Sequence, residues 1–251
     1  MSVVGYDNAM SALYHLVFFN PLYNLLILLF TVLPWADAGL AVVILTVIVR
    51  IIIFPLSKKA ILTQVQMAEI APALQAIKEK YKNAEEQARK TLELYRERGV
   101  NPFAGIFVII IQLPIIIALY QIFLHAGFPS VDSTILYSFV KVPEYINPTF
   151  LGLIEITNKS AILALLAALT TFIQLRISLS SQKKPTGNSY GDNLNRIMQT
   201  QMKYFFPVLV FFISYKISGV IALYWFTTNL FSIGQELYVR KRVKPRLVNS
   251  S

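Results

Sequence analysis

AGLAVVILTVIVRIIIFPLS, residues 38–57, decides how this chain is read. It is a run of about 20 residues, the length that crosses a bilayer core, and its one charge is Arg50. The next stretch is different in kind. Residues 58–100 carry Lys58, Lys59, Lys78, Lys80, Lys82, Arg89, Lys90, Arg96 and Arg98 among glutamates. Ile70, Leu74, Ile77 and Tyr81 repeat at helical spacing, and after Asn83 a second stripe runs through Ala88, Leu92 and Tyr95. Glu85–Arg89 and Glu86–Lys90 are spaced for pairing within that second helix. An apolar span leading into a polar two-helix hairpin is the expected unit.

The rest of the chain extends this pattern. Apolar residues make up 55% and charged residues 14%, against about 25% charge in soluble domains, and mean hydropathy is +0.56. The expected architecture is all-α: a polytopic membrane protein with a core of five transmembrane helices. The spans are placed at 37–57, 101–124, 159–179, 203–217 and 219–238. Segment 1–36 precedes them, with a helix over 22–33 expected to lie in the interface because Asn20-Pro21 interrupts its apolar run. Between spans lie the hairpin 58–100, a loop at 125–158, and a polar loop at 180–202 expected to be mobile around Pro185 and Gly187. Residues 239–251 form a basic tail.

The net charge of +10 reads as topology rather than as nucleic-acid binding. Apart from Arg50, Lys141, Lys159 and Lys216, every Lys and Arg falls in the hairpin, in the segment from Arg176 to Lys203, or in the tail. Excess Lys and Arg marks the cytoplasmic side, so hairpin, second polar loop and C-terminus are expected there. No signal peptide is evident in residues 1–12, and a bacterial plasma membrane is the expected location.

Arg50 carries the functional reading. It lies about 18 Å into its span at ~1.5 Å per residue, with Ile51, Ile52, Ile53 and Phe54 still ahead of it. Snorkelling to the interface is one account of such a residue. Placement inside the bundle, facing water or a partner, is the other, because an arginine at this depth costs about 2.5 kcal/mol or more. Thr46 shares its helix face one turn earlier, and Gln112, Gln174, Thr227, Thr228 and Asn229 supply polar groups from other spans. Singly, such residues are most simply helix–helix hydrogen bonds. Together with a cation, and with no Asp or Glu in the interior of any span, they suggest a hydrated cavity that receives an anion from outside.

Enzyme chemistry lacks its parts. His15 and His125 are peripheral and have no ligand companions at helical spacing. Cysteines are absent, which removes thiolate metal sites and a lipid-modified N-terminal Cys. No phosphate-cradling glycine loop occurs. Neither cofactor nor metal is expected.

Three stretches carry a resemblance. TVIVRIIIFPLSKKA (46–60), NPFAGIFVIIIQLPIIIALYQIF (101–123) and SGVIALYWFTTNLFSIGQELYVR (218–240) resemble, in order, spans of the YidC membrane protein insertases, relatives of the Oxa-type insertases. The similarity runs from about residue 20 to 242. It implies a five-helix core around a positively charged groove, open to cytoplasm and lipid and closed outside, with Arg50 in the groove. Thr46 and Trp225 match positions that contact a nascent chain, and Gln112 and Gln174 match groove-lining positions. The hairpin is the element that would receive substrates. Nascent membrane proteins and lipids are the implied partners, with the Sec translocon and ribosome as candidates. The large extracytoplasmic domain of many bacterial members and the long basic tail of others have no counterpart here, so strong ribosome tethering is not expected. A small-anion transporter or channel and a structural assembly subunit stand as rival readings.

Overall fold

In the computed structural model, the described residues are 9–124, 128, 130–180 and 190–242. The mobile turn expected around Pro185 and Gly187, and the basic tail from Val243 onward, lie outside them.

The described chain is mostly helical. Helix α1 (Ala9–Tyr14) passes through a π-helical turn, His15–Phe19, into α2 (Asn20–Val32). Then come α3 (Ala38–Lys80), α4 (Ala84–Arg98), α5 (Ala104–Leu124), the short strands β1 (Thr149–Phe150) and β2 (Ile154–Glu155), α6 (Ala161–Leu179), α7 (Tyr190–Ile217) and α8 (Gly219–Arg242). Three helical segments are long and apolar enough to cross a membrane: Ala9–Val32, Ala38–Lys80 and Ala161–Leu179. Within α5 the stretch Ile110–Phe123 is a shorter apolar helix.

Local chemistry sets the boundaries. The Asp37 carboxylate accepts from Leu40 N at 2.8 Å and starts α3; Ser160 accepts from Leu163 N and starts α6. Such oxygens satisfy N–H groups left over at a helix start. Gly99 closes α4 with φ 61°, the left-handed geometry a residue without Cβ adopts at no cost.

Several boundaries differ from those expected of the sequence. The helix does not stop at Ser57: α3 runs on to Lys80, 43 residues in all, about 65 Å, so span and first hairpin helix are one rod. Asn20-Pro21 does not break the N-terminal helix either. The N–H of Asn20 reaches back to His15 O, and the π turn absorbs the register change where Pro21 has no N–H to give. On α4 the inward residue is Leu94, while Leu92 is exposed. The charges pair as Arg89–Glu93 and Lys90–Glu93 at 4.0 and 2.7 Å, on the C-terminal side of each cation and about two turns beyond the expected partners. Gln87, which donates to Lys78 O at 3.3 Å, folds α4 back onto the end of α3.

Helix α8 is central, packing on both α6 and α3; α5 lies on α3, and α7 covers α6. The apolar core occupies one end of the bundle. It gathers Ala41, Val42 and Leu45 from α3, Leu119 and Ile122 from α5, Ile221 and Leu223 from α8, and Leu26 and Ile27 from α2. These positions lie far from the hairpin along every helix. Although Ala9–Val32 could cross a bilayer by length, its contacts stay at that same end. Tyr14 OH donates to Gln121 at 2.7 Å, Asn24 donates to Ile135 O at 3.0 Å, and Phe30 meets Phe128.

Candidate functional site

Asn24, Ser160, Ser214 and Ser218 are buried toward the apolar end, but most buried polar residues lie beyond the apolar core. Moving toward the hairpin, α3 buries Thr46, Arg50 and Ser57; α6 buries Thr170 and Thr171; α8 buries Thr227, Thr228, Asn229, Gln235 and Glu236. The bundle thus concentrates apolar packing at one end and gathers most of its buried hydrogen-bonding groups toward the other.

Arg50 sits at this boundary and only 7% of it is exposed, so its side chain is turned into the bundle rather than out to the surface. Its Nη2 donates to Gln112 Oε1 at 3.0 Å. The Gln112 amide in turn donates to the Tyr224 hydroxyl. Arg50 on α3, Gln112 on α5 and Tyr224 on α8 thus join three helices through one chain of polar atoms. Among the described residues no carboxylate pairs with Arg50; the ion pairs lie elsewhere. A guanidinium has five N–H donors, and Gln112 takes one of them. Thr228, one turn beyond Tyr224, sets its hydroxyl beside the phenol, buried without a well-formed hydrogen bond.

The other sequence candidates separate from this cluster. Thr46 is buried one turn from Arg50, but its hydroxyl donates to Val42 O at 2.6 Å on its own helix. Asn229 faces α6, donating to Thr171 Oγ1 at 2.7 Å and Thr170 Oγ1 at 3.2 Å, so it fastens α8 to α6. Trp225 is partly buried against the apolar core. Gln174 is half-buried on α6 and takes no part in the Arg50 network.

Sequence reasoning missed three groups. Tyr224 reads as an ordinary aromatic in an apolar run; its one signal is the i,i+4 spacing to Thr228. Gln235 donates to Ser57 Oγ at 2.7 Å and to Phe54 O at 3.3 Å, clamping α8 to α3 one level closer to the hairpin. Glu236, two residues inside the expected end of its span, is 3% exposed. Arg240 Nε donates to it at 3.0 Å and Arg240 Nη2 to Ser178 O at 3.2 Å; Gln64 completes the link by donating to Ser178 Oγ at 2.9 Å. Glu236 thus puts a carboxylate at the edge of a span rather than in the interior, which is expected to hold none, and the neighbouring arginine makes its burial tolerable.

Residues 28–246 match the family described as "60Kd inner membrane protein". A protein of Oceanobacillus iheyensis named membrane protein insertase YidC is 32% identical over 209 residues, 81% of this chain and 74% of that protein. One of the same name from Fusobacterium nucleatum is 30% identical over 207 residues, 81% of this chain and 86% of that protein. A longer namesake from Wolinella succinogenes is 27% identical, with 87% of this chain matching 37% of it.

Proposed function

The chain belongs to the 60Kd inner membrane protein family, and from that premise we infer that it is a membrane protein insertase, which moves its clients into the bilayer. The observation that carries the mechanism is the division of the bundle: apolar packing at one end, most buried polar groups toward the other, and a cation at their border.

We propose that a client's polar or acidic tail enters the polar half from the hairpin side. Its carboxylate displaces Gln112 Oε1 from Arg50, since a carboxylate brings an opposite charge and can take two guanidinium N–H groups in a bidentate fork, which a single neutral amide oxygen cannot. The client's apolar segment then slides along the lipid-facing helices and partitions into the bilayer. Housing polar atoms part-way across avoids the several kcal/mol that each unsatisfied group costs in hydrocarbon. No nucleotide is required, because partitioning and the membrane potential supply the work. The groove itself, with Thr46, Trp225 and Gln174 as client-contacting positions, belongs to this proposal. So do the cytoplasmic placement of hairpin and C-terminus, the interfacial seat of α2, and engagement of the Sec translocon or ribosome.

Crosslinking is the test. A photoreactive residue at Thr46 or Trp225 should capture a stalled client chain, and Arg50→Ala should abolish insertion of a single-span client with an acidic tail while Arg50→Lys keeps most of it. Full activity of the alanine variant in liposomes overturns the electrostatic role. Anion flux in client-free liposomes would instead favour a transporter, and fixed partners without insertion activity an assembly subunit.

A further inference from the structure

At the bundle end opposite the hairpin, a tight turn displays apolar side chains where polar ones would be ordinary. β1 and β2 pair antiparallel, Phe150 opposite Ile154, and Leu153 N closes the turn onto Phe150 O at 3.0 Å. Its two inner residues, Leu151 and Gly152, have φ of 53° and 68°. Glycine adopts this geometry freely, but leucine is strained there, and Asn or Gly is the usual occupant. Leu151 is nonetheless 63% exposed and Leu153 85% exposed, so neither side chain accounts for its position by packing inside this chain. A strained, exposed apolar residue calls for something outside the chain.

The height of the turn is fixed at three points. Ala38 N donates to Asn147 O at 2.8 Å. Gly152 N donates to Asp37 Oδ2 at 3.3 Å. Phe150 lies so close over Gly39 that a Cβ there would overlap its side chain. Asp37 and Ala38 begin the helix that crosses the bilayer, so they mark the level where hydrocarbon gives way to headgroups. Two residues before Asp37 stands Trp35, 72% exposed, at the depth where tryptophans gather in membrane proteins. The turn is therefore tethered at the membrane boundary, beside an exposed indole.

We propose that Leu151 and Leu153, with Trp35, insert into the headgroup–acyl boundary of the leaflet opposite the hairpin. The occupant of this surface is lipid: the apolar side chains are continuous with the start of a spanning helix, and lipid is what surrounds that helix. The turn then acts as a float that holds the closed end of the bundle at constant depth. This role rests on the spanning topology alone and stands whether or not the insertase mechanism does.

The chain has no cysteine, so a single spin label can report its depth. The full chain carrying Leu153→Cys is labelled and reconstituted into phospholipid vesicles. Collision rates with oxygen, which concentrates in lipid, and with a water-soluble nickel chelate are compared with those at Leu165→Cys on the lipid-spanning α6 and at Glu85→Cys on α4. The ratio of oxygen to nickel collisions at Leu153 should exceed that at Glu85 severalfold and approach that at Leu165. A ratio equal to that at Glu85 overturns the proposal. A label shielded from both reagents also overturns it, and points to a protein partner instead. In a Trp225→Phe background, Trp35 fluorescence should be quenched by phospholipids brominated near the headgroup; unquenched emission overturns the proposal without any change to the turn.

Discussion

Arg50 is tolerated in the bundle because Gln112 turns a carbonyl oxygen toward it and is itself held by Tyr224. The two links differ in strength, and that difference is measurable. Gln112→Leu removes a hydrogen bond to a charged group, worth about 1.5–3 kcal/mol. Tyr224→Phe removes a bond between neutral groups in a membrane, worth on average about 0.6 kcal/mol. Unfolding in mixed micelles should therefore rank Gln112→Leu well below Tyr224→Phe, with the latter close to the parent. If the two are equally destabilised, the guanidinium does not depend on Gln112. The cation itself was legible as a lone charge in an apolar run. Its partner was legible only as one of several polar residues, because which glutamine reaches it depends on how α3 and α5 cross.

At the scale of elements, α3 couples the membrane to the hairpin by being unbroken. Pro55 and Pro72 both lie inside it, and Gln235 from α8 braces the rod next to Pro55 by bonding Phe54 O and Ser57. Closer to the hairpin, Gln64, Ser178, Arg240 and Glu236 tie the rod to α6 and α8. Deleting residues 62–96 should accordingly reduce client insertion while the remaining helices stay folded, as read by helical circular dichroism and by insertion into vesicles; undiminished insertion would show that the hairpin does not receive clients. At the opposite end, Gly39→Val places methyl groups into Phe150, and overpacking of this kind costs about 1–3 kcal/mol. A lowered melting temperature and faster proteolysis within 147–156 should result. Helical stripes and caps told where helices exist. They did not tell where α3 ends, since nothing local at Ser57 stops a helix: Lys58 and Lys59 change the solvent preferred by the side chains, not the backbone.

For the molecule as a whole, the proposed mechanism takes its direction from the partition of core and polar half. If clients enter from the cytoplasm, acidic tails move with the membrane potential, worth about 2.3 kcal/mol per charge per 100 mV. Dissipating the potential in energised vesicles should slow clients with acidic tails more than clients with uncharged ones; equal slowing would remove the potential from the mechanism. The sequence by itself determined that the chain is a helical membrane protein, that basic residues segregate to one side, and that one arginine stands apart within a span. Those features are set by transfer free energies, which each side chain carries with it wherever it sits. The tertiary structure alone decided that Arg50 meets Gln112 and Tyr224, that Asn229 is committed to α6, and that Glu236 is buried beside Arg240. It also decided that a short turn is pinned to Asp37 with two leucines outward. These depend on helix rotation and crossing, which fix what lies opposite each residue, and no stretch of sequence encodes its neighbour across the bundle.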